Sequence, residues 1–109
     1  MITVITTMQF EKPVPTETLV ERIKNSAPLY RNIKGLVRKH FCIGPENRSI
    51  LGVYLWESRE AYEAKYTPEW IKQIAERQGA QPTFTVYETP CIVDNAVTNA
   101  IATLQRLDY

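Results

Sequence analysis

The chain offers a metal ion very little. It has one histidine, His40, and two cysteines, Cys42 and Cys91, none of them in metal-ligand spacing. Both thiols are read as reduced, and a disulfide between them is the lesser alternative in the compartment expected here. No run of about 18 apolar residues is present, so no membrane span is expected. No signal peptide is visible: Met1 leads straight into an alternating strand pattern, and a cytoplasmic location is the expectation. Charge of one sign does not accumulate either. The formal net charge is +1, with acids and bases scattered, so neither nucleic acid nor an anionic membrane is an expected partner. Glycine-rich phosphate loops, serine-hydrolase elbows, paired catalytic acids, repeats and domain linkers are also missing. What is present is ordinary for one globular domain: 44% hydrophobic and 23% charged residues over 109 positions, enough for a modest core.

Ile2–Phe10 alternates and is rich in β-branched residues, which predicts a strand. After two loop prolines, Thr16 reads as an N-cap, and Leu19, Ile23, Ala27 and Tyr30 recur at helical spacing. Pro28 should kink or restart that helix, and Gly35 should end the segment. Leu36–Ile43 is a strand mixing Arg38, Lys39 and His40 with apolar residues. Gly44-Pro45-Glu46-Asn47 is turn chemistry, and Ile50–Trp56 is the most apolar strand. Ser58 caps a second helix. Thr67-Pro68-Glu69 is a further start signal, a cap followed by proline and an acid in the first turn. Trp70, Ile71, Ile74 and Ala75 form its stripe, and Gly79 stops it. Pro82–Val93 is a fourth strand interrupted by Pro90. Residues 95–109 are expected to form a C-terminal helical extension with the stripe Val97, Ile101 and Leu104.

The order is βαββαβ, which predicts a single α+β ferredoxin-like domain over residues 1–109: an antiparallel sheet with both helices on one face. The first and third strands should be central, the second and fourth edges. The other sheet face then needs a cover, because the third strand is apolar on both sides. A homodimer packed sheet against sheet is the simplest cover; the C-terminal helix is the alternative.

Gly35-Leu36, Lys39 and Phe41, then Gly52-Val53-Tyr54-Leu55-Trp56-Glu57-Ser58, Tyr66-Thr67-Pro68-Glu69-Trp70 and Val93-Asp94-Asn95 resemble the YdhR-type family of monooxygenases. That family lies within the antibiotic-biosynthesis monooxygenase superfamily of dimeric α/β barrels. The resemblance covers roughly residues 2–95. It implies a dimeric α/β barrel and a monooxygenase that needs no cofactor, acting on a small aromatic or polyketide-like substrate. Other superfamily members cleave haem, but the spacing they use has no counterpart here. An isomerase, a decarboxylase or a non-enzymatic small-molecule binder on the same scaffold are the alternatives.

A cofactor-free oxygenase needs a dry cavity, a group that favours a phenolate, and groups that tolerate a reduced-oxygen anion. Tyr54, Trp56, Tyr62, Tyr66 and Trp70 are candidates for the cavity walls; packing alone also explains each of them. His40 is the candidate general base, with an exposed edge-strand histidine as the plain alternative. Arg38 and Lys39 lie on opposite faces of their strand. Arg38 is taken as the catalytic cation and Lys39 as a substrate-binding one. The hairpin register decides whether Arg38 and His40, or Lys39 and Phe41, share a face with Tyr54 and Trp56. The turn residues leave that open.

Overall fold

A computed structural model describes residues 1–95. Four strands and three α-helices follow one another as β1 (Ile2–Gln9), α1 (Thr16–Ser26), β2 (Leu36–Ile43), β3 (Ser49–Trp56), α2 (Arg59–Lys65), α3 (Pro68–Gln78) and β4 (Thr83–Glu88). The sheet is antiparallel with the order β2-β3-β1-β4. β1 and β3 are therefore central and β2 and β4 are edges, which is the ferredoxin-like arrangement. The expected C-terminal helix lies outside the described residues. No helix among the described residues is long and apolar enough to cross a membrane.

Local chemistry explains most boundaries. Ser58 accepts a hydrogen bond from the Ala61 N–H, and Thr67 from the Trp70 N–H at 3.2 Å, so both caps form. Gly79 ends α3 in the left-handed conformation at φ +73°. Two boundaries differ from the sequence reading. Thr16 lies inside α1 rather than capping it; its hydroxyl instead accepts from Asn47 Nδ2 at 2.8 Å. β4 ends at Glu88, ahead of Pro90, because proline cannot supply the next ladder donor. α1 ends at Ser26 and the chain restarts as a 3₁₀ turn over Ala27–Tyr30 with Pro28 in its first turn, the restart expected there.

Alternation sorts the central strands. Ile2, Val4, Thr6 and Met8 of β1 are buried beneath the helices, joined by Ile50, Tyr54 and Trp56 of β3. Leu19 of α1 and Ile74 of α3 are buried above them. The opposite face shows Ile5, Leu51 and Val53 half-buried in a single chain. At the entrance to β2, Gly35 has φ +84°, and a Cβ there would stand 2.5 Å from the Ala61 Cβ. Only glycine satisfies both the backbone and the helix packed on it.

Candidate functional site

Within the β2–β3 hairpin, Lys39 pairs with Tyr54, Phe41 with Gly52, and Leu36 with Trp56. Paired residues project to the same side of a sheet, so Lys39 and Phe41 point under the helices. Arg38 pairs with Leu55 and His40 with Val53, and both project to the opposite face. Arg38 forms an ion pair with Asp94 at 3.1 Å, and His40 is exposed. The two residues chosen as catalytic from sequence therefore do not meet Tyr54 and Trp56. The residue chosen for binding, Lys39, does.

The aromatic side chains form one connected set. Tyr54 and Trp56 stack at 6.3 Å and both meet Tyr66 edge-on at 5.8 Å. Tyr66 contacts Trp70 at 4.9 Å and Phe84 at 5.3 Å. Tyr62 sits at the outer margin, 5.9 Å from Tyr66, where its hydroxyl accepts a hydrogen bond from Arg59. Tyr30, brought in by the 3₁₀ turn, stands edge-on to Phe41, Tyr54 and Trp70.

Lys39 ends inside this set. Its Nζ lies 3.4 Å from the Tyr30 ring centre, 4.0 Å from Phe41 and 4.4 Å from Tyr54. No carboxylate pairs with it among the described residues. Burial first, and the Arg77 guanidinium second, lower its pKa to about 6. The ring faces act the other way, since their quadrupoles favour the ammonium. Lys39 is thus a half-buried amine that gives up its proton near neutrality. Gly52 makes room for it: a Cβ there would come within 2.8 Å of Thr6 Oγ1 and Tyr54 Cε1 and 3.1 Å of Lys39 Cε.

Lys39 borders a cavity of about 20 Å³, lined also by Thr6, Tyr30, Tyr54, Ile74 and Arg77. That is room for one water-sized group. Arg77 is exposed at the cavity margin and donates to the Tyr30 hydroxyl at 3.4 Å. Elsewhere in the aromatic set two polar atoms are buried without a hydrogen-bond partner, Trp56 Nε1 and Tyr66 Oη. Burial raises the Tyr66 hydroxyl pKa, the Trp56 indole acting weakly against it without the two reaching hydrogen-bond geometry. Burial, with Tyr30 and Tyr66 adding to it, raises the Tyr54 pKa as well, so both phenols stay neutral donors. Among the described residues no group of three His, Cys, Asp or Glu side chains converges as a metal site would require, and Cys42 and Cys91 are free and exposed.

Sequence reasoning gives three members of this site no role in it. The helical spacing places Tyr30 on a helix face, Gly52 enters only within the resemblance, and no motif singles out Arg77. A signal for Arg77 did exist: Trp70, Ile74 and Arg77 fall on one stripe of α3.

No family model and no curated protein matches this chain. Solved structures do match it. SnoaB from Streptomyces nogalater, a cofactor-independent oxygenase, superposes with a TM-score of 0.61 at 10% identity, covering 86% of this chain and 97% of that one. The monooxygenase ActVA-Orf6 of Streptomyces coelicolor, solved with nanaomycin D, gives 0.63 at 14% identity over 86% and 92% of the two chains. At3g17210 from Arabidopsis thaliana gives 0.59 at 17% identity over 86% and 100%. These likenesses show the α+β ferredoxin-like fold.

Proposed function

We propose that the protein is a cofactor-independent monooxygenase of the YdhR type, acting as a homodimer on a small aromatic or polyketide-like substrate in the gap between helices and sheet. One observation carries this reading. The connected aromatic set holds a half-buried amine with no carboxylate partner among the described residues, Lys39, and, away from the cavity that Lys39 borders, two buried polar atoms without a hydrogen-bond partner, Trp56 Nε1 and Tyr66 Oη. Buried polar groups are rarely left unpaired, and a ligand oxygen would supply the missing acceptor. The solved oxygenases of the same fold support the choice of reaction.

Lys39 replaces His40 as the base in this reading. Its neutral amine takes the proton of a substrate phenol, and the phenolate passes an electron to dioxygen far more readily than the phenol does. The resulting pair combines at the substrate carbon. One oxygen atom stays as a carbonyl and the other leaves as water, so the substrate supplies all the electrons. The Lys39 ammonium formed in that step stabilises the negative charge that develops on oxygen beside it. The free chain fills the gap with its own rings, so a flat substrate enters by replacing ring contacts of Tyr30, Tyr66 and Trp70 with its own.

The homodimer is proposed from the open sheet face. Ile5, Leu51 and Val53 form its centre, flanked by Arg38 and His40. A second copy would bury the apolar strip and place His40 at the interface rather than in the site.

Oxygen uptake with anthrone and a naphthoquinol tests the activity. Lys39→Met should lower the rate by about 10²–10⁴, the usual worth of a general base, while His40→Ala retains it. No uptake above the uncatalysed oxidation across such a panel rejects the oxygenase reading. Tight binding of the same compounds without turnover would instead favour a carrier or sensor.

A further inference from the structure

Lys39 and Arg77 line one cavity but hold different positions in it. Lys39 approaches from the sheet beneath three rings, and Arg77 stands at the exposed end of α3 with its guanidinium on the Tyr30 hydroxyl. Among the described residues no acidic side chain lines the cavity. The enclosed space takes one water-sized group, and anything larger extends toward Arg77. An amine desolvated in an apolar pocket beside a second cation is the environment that turns lysine into a carbon nucleophile.

We infer that Lys39 captures small oxo acids as an imine, its amine taking the carbonyl carbon while Arg77 at the cavity mouth holds the carboxylate. The inference rests on the gap being a ligand site, as proposed above, but it needs no oxygen chemistry. The Nζ lone pair adds to the carbonyl carbon. The carbinolamine is protonated on oxygen and loses water, and a C=N bond replaces the C=O bond. The oxygen lies in the water-sized space, from which the released water departs. In an oxo acid such as glyoxylate the carboxylate is bonded directly to the new C=N carbon, and its oxygens reach outward to a planar fork suited to them. The resulting iminium is an electron sink for a carbanion on the neighbouring carbon, which is what an isomerase of oxo acids or a decarboxylase of 3-oxo acids requires. Burial and the Arg77 charge both keep the amine neutral near pH 7, the state the attack needs.

The test is reductive trapping of the intact wild-type protein under nitrogen at pH 7, with glyoxylate as probe and cyanoborohydride as hydride donor. Hydride addition to the imine leaves one carboxymethyl group on Nζ, located by peptide mapping. Lys39 should be modified about 100-fold faster than the exposed Lys34 and Lys72. Modification of Lys39 no faster than of Lys34 overturns the inference, and wild-type mapping does not depend on any variant folding. Arg77→Gln should cut the ratio of glyoxylate to propionaldehyde trapping at Lys39 by about tenfold, the worth of one charge-assisted hydrogen bond. An unchanged ratio removes Arg77 from the site. Trapping without oxygen uptake upholds capture and sinks the oxygenase reading; uptake without trapping does the reverse.

Discussion

Lys39 should destabilise the fold that contains it, and the size of the effect should depend on pH in a defined way. In the unfolded chain its amine has the ordinary pKa of 10.5; in the folded chain burial and Arg77 bring it to about 6. Between those values the unfolded state holds a proton that the folded state has released. Stability therefore rises with pH across this window, by about 1.4 kcal/mol per unit. At pH 7 the cost of having given up that proton is about 3–5 kcal/mol, the lower end allowing for the three ring faces that favour the ammonium. Lys39→Met removes the charge and keeps an unbranched chain that packs against rings. The variant should be more stable than wild type at pH 7 by that amount. The difference should shrink steadily toward pH 10 and level off below about pH 6, where the folded amine is protonated too. Urea unfolding of both proteins from pH 6 to 10 measures it, and subtraction cancels the titration of every other group. Parallel stability curves from pH 7 to 10 would refute the depressed amine, and the base and nucleophile roles would fall with it.

Three further outcomes follow from the geometry. Gly52→Ala should cost about 1–3 kcal/mol in urea unfolding, because its Cβ would press on Thr6, Tyr54 and Lys39 at once, and should also lower oxygen uptake. Thr67→Ala removes the cap of α3 and should cost about 1 kcal/mol, with Thr67→Ser restoring most of it. Val53→Asp places a charge at the centre of the open sheet face and should convert a dimer to a monomer in sedimentation. A monomeric wild type at the same concentration rejects the homodimer.

Much of the fold is legible in the residues, and the reason differs by element. β1 shows itself because only one of its faces is buried, so period-2 alternation survives in the letters. β3 is read from an apolar run that both faces require. The caps at Ser58 and Thr67 are local chemistry, a side-chain oxygen three residues ahead of the N–H it accepts. Thr16 carries the same signal and fails as a cap because Asn47, far along the chain, takes its hydroxyl. The aromatic half of the site was visible as composition: Tyr54, Trp56, Tyr66 and Trp70 do converge. Its polar half was not, because burial of Lys39 is no property of the strand that carries it. Leu36–Ile43 reads as an edge strand with three adjacent basic groups, and nothing in that run says which of them turns inward.

What turns Lys39 inward is the hairpin register, and contacts from outside the hairpin help fix it. The five-residue connection at Gly44–Arg48 contains two left-handed residues, Glu46 and Asn47, a geometry that several registers share. Two backbone bonds from the β1–α1 connection restrict it: Phe10 N–H donates to Arg48 at 2.8 Å and Val14 N–H to Asn47 at 3.0 Å. With the loop anchored, Ile43 meets Ile50, and every second residue back to Lys39 faces the helices. At the far end a bulge at Val37 shifts the pairing by one residue. Leu36, rather than Val37, then lies opposite Trp56, and Val37 is left exposed. The bulge satisfies the apolar pattern at one end without disturbing the lysine at the other. A one-residue slip without such compensation would turn Arg38 and His40 toward Tyr54 and expose Lys39. Which basic side chain of β2 faces the aromatic set is thus fixed in part by two hydrogen bonds to a loop that lies outside that set.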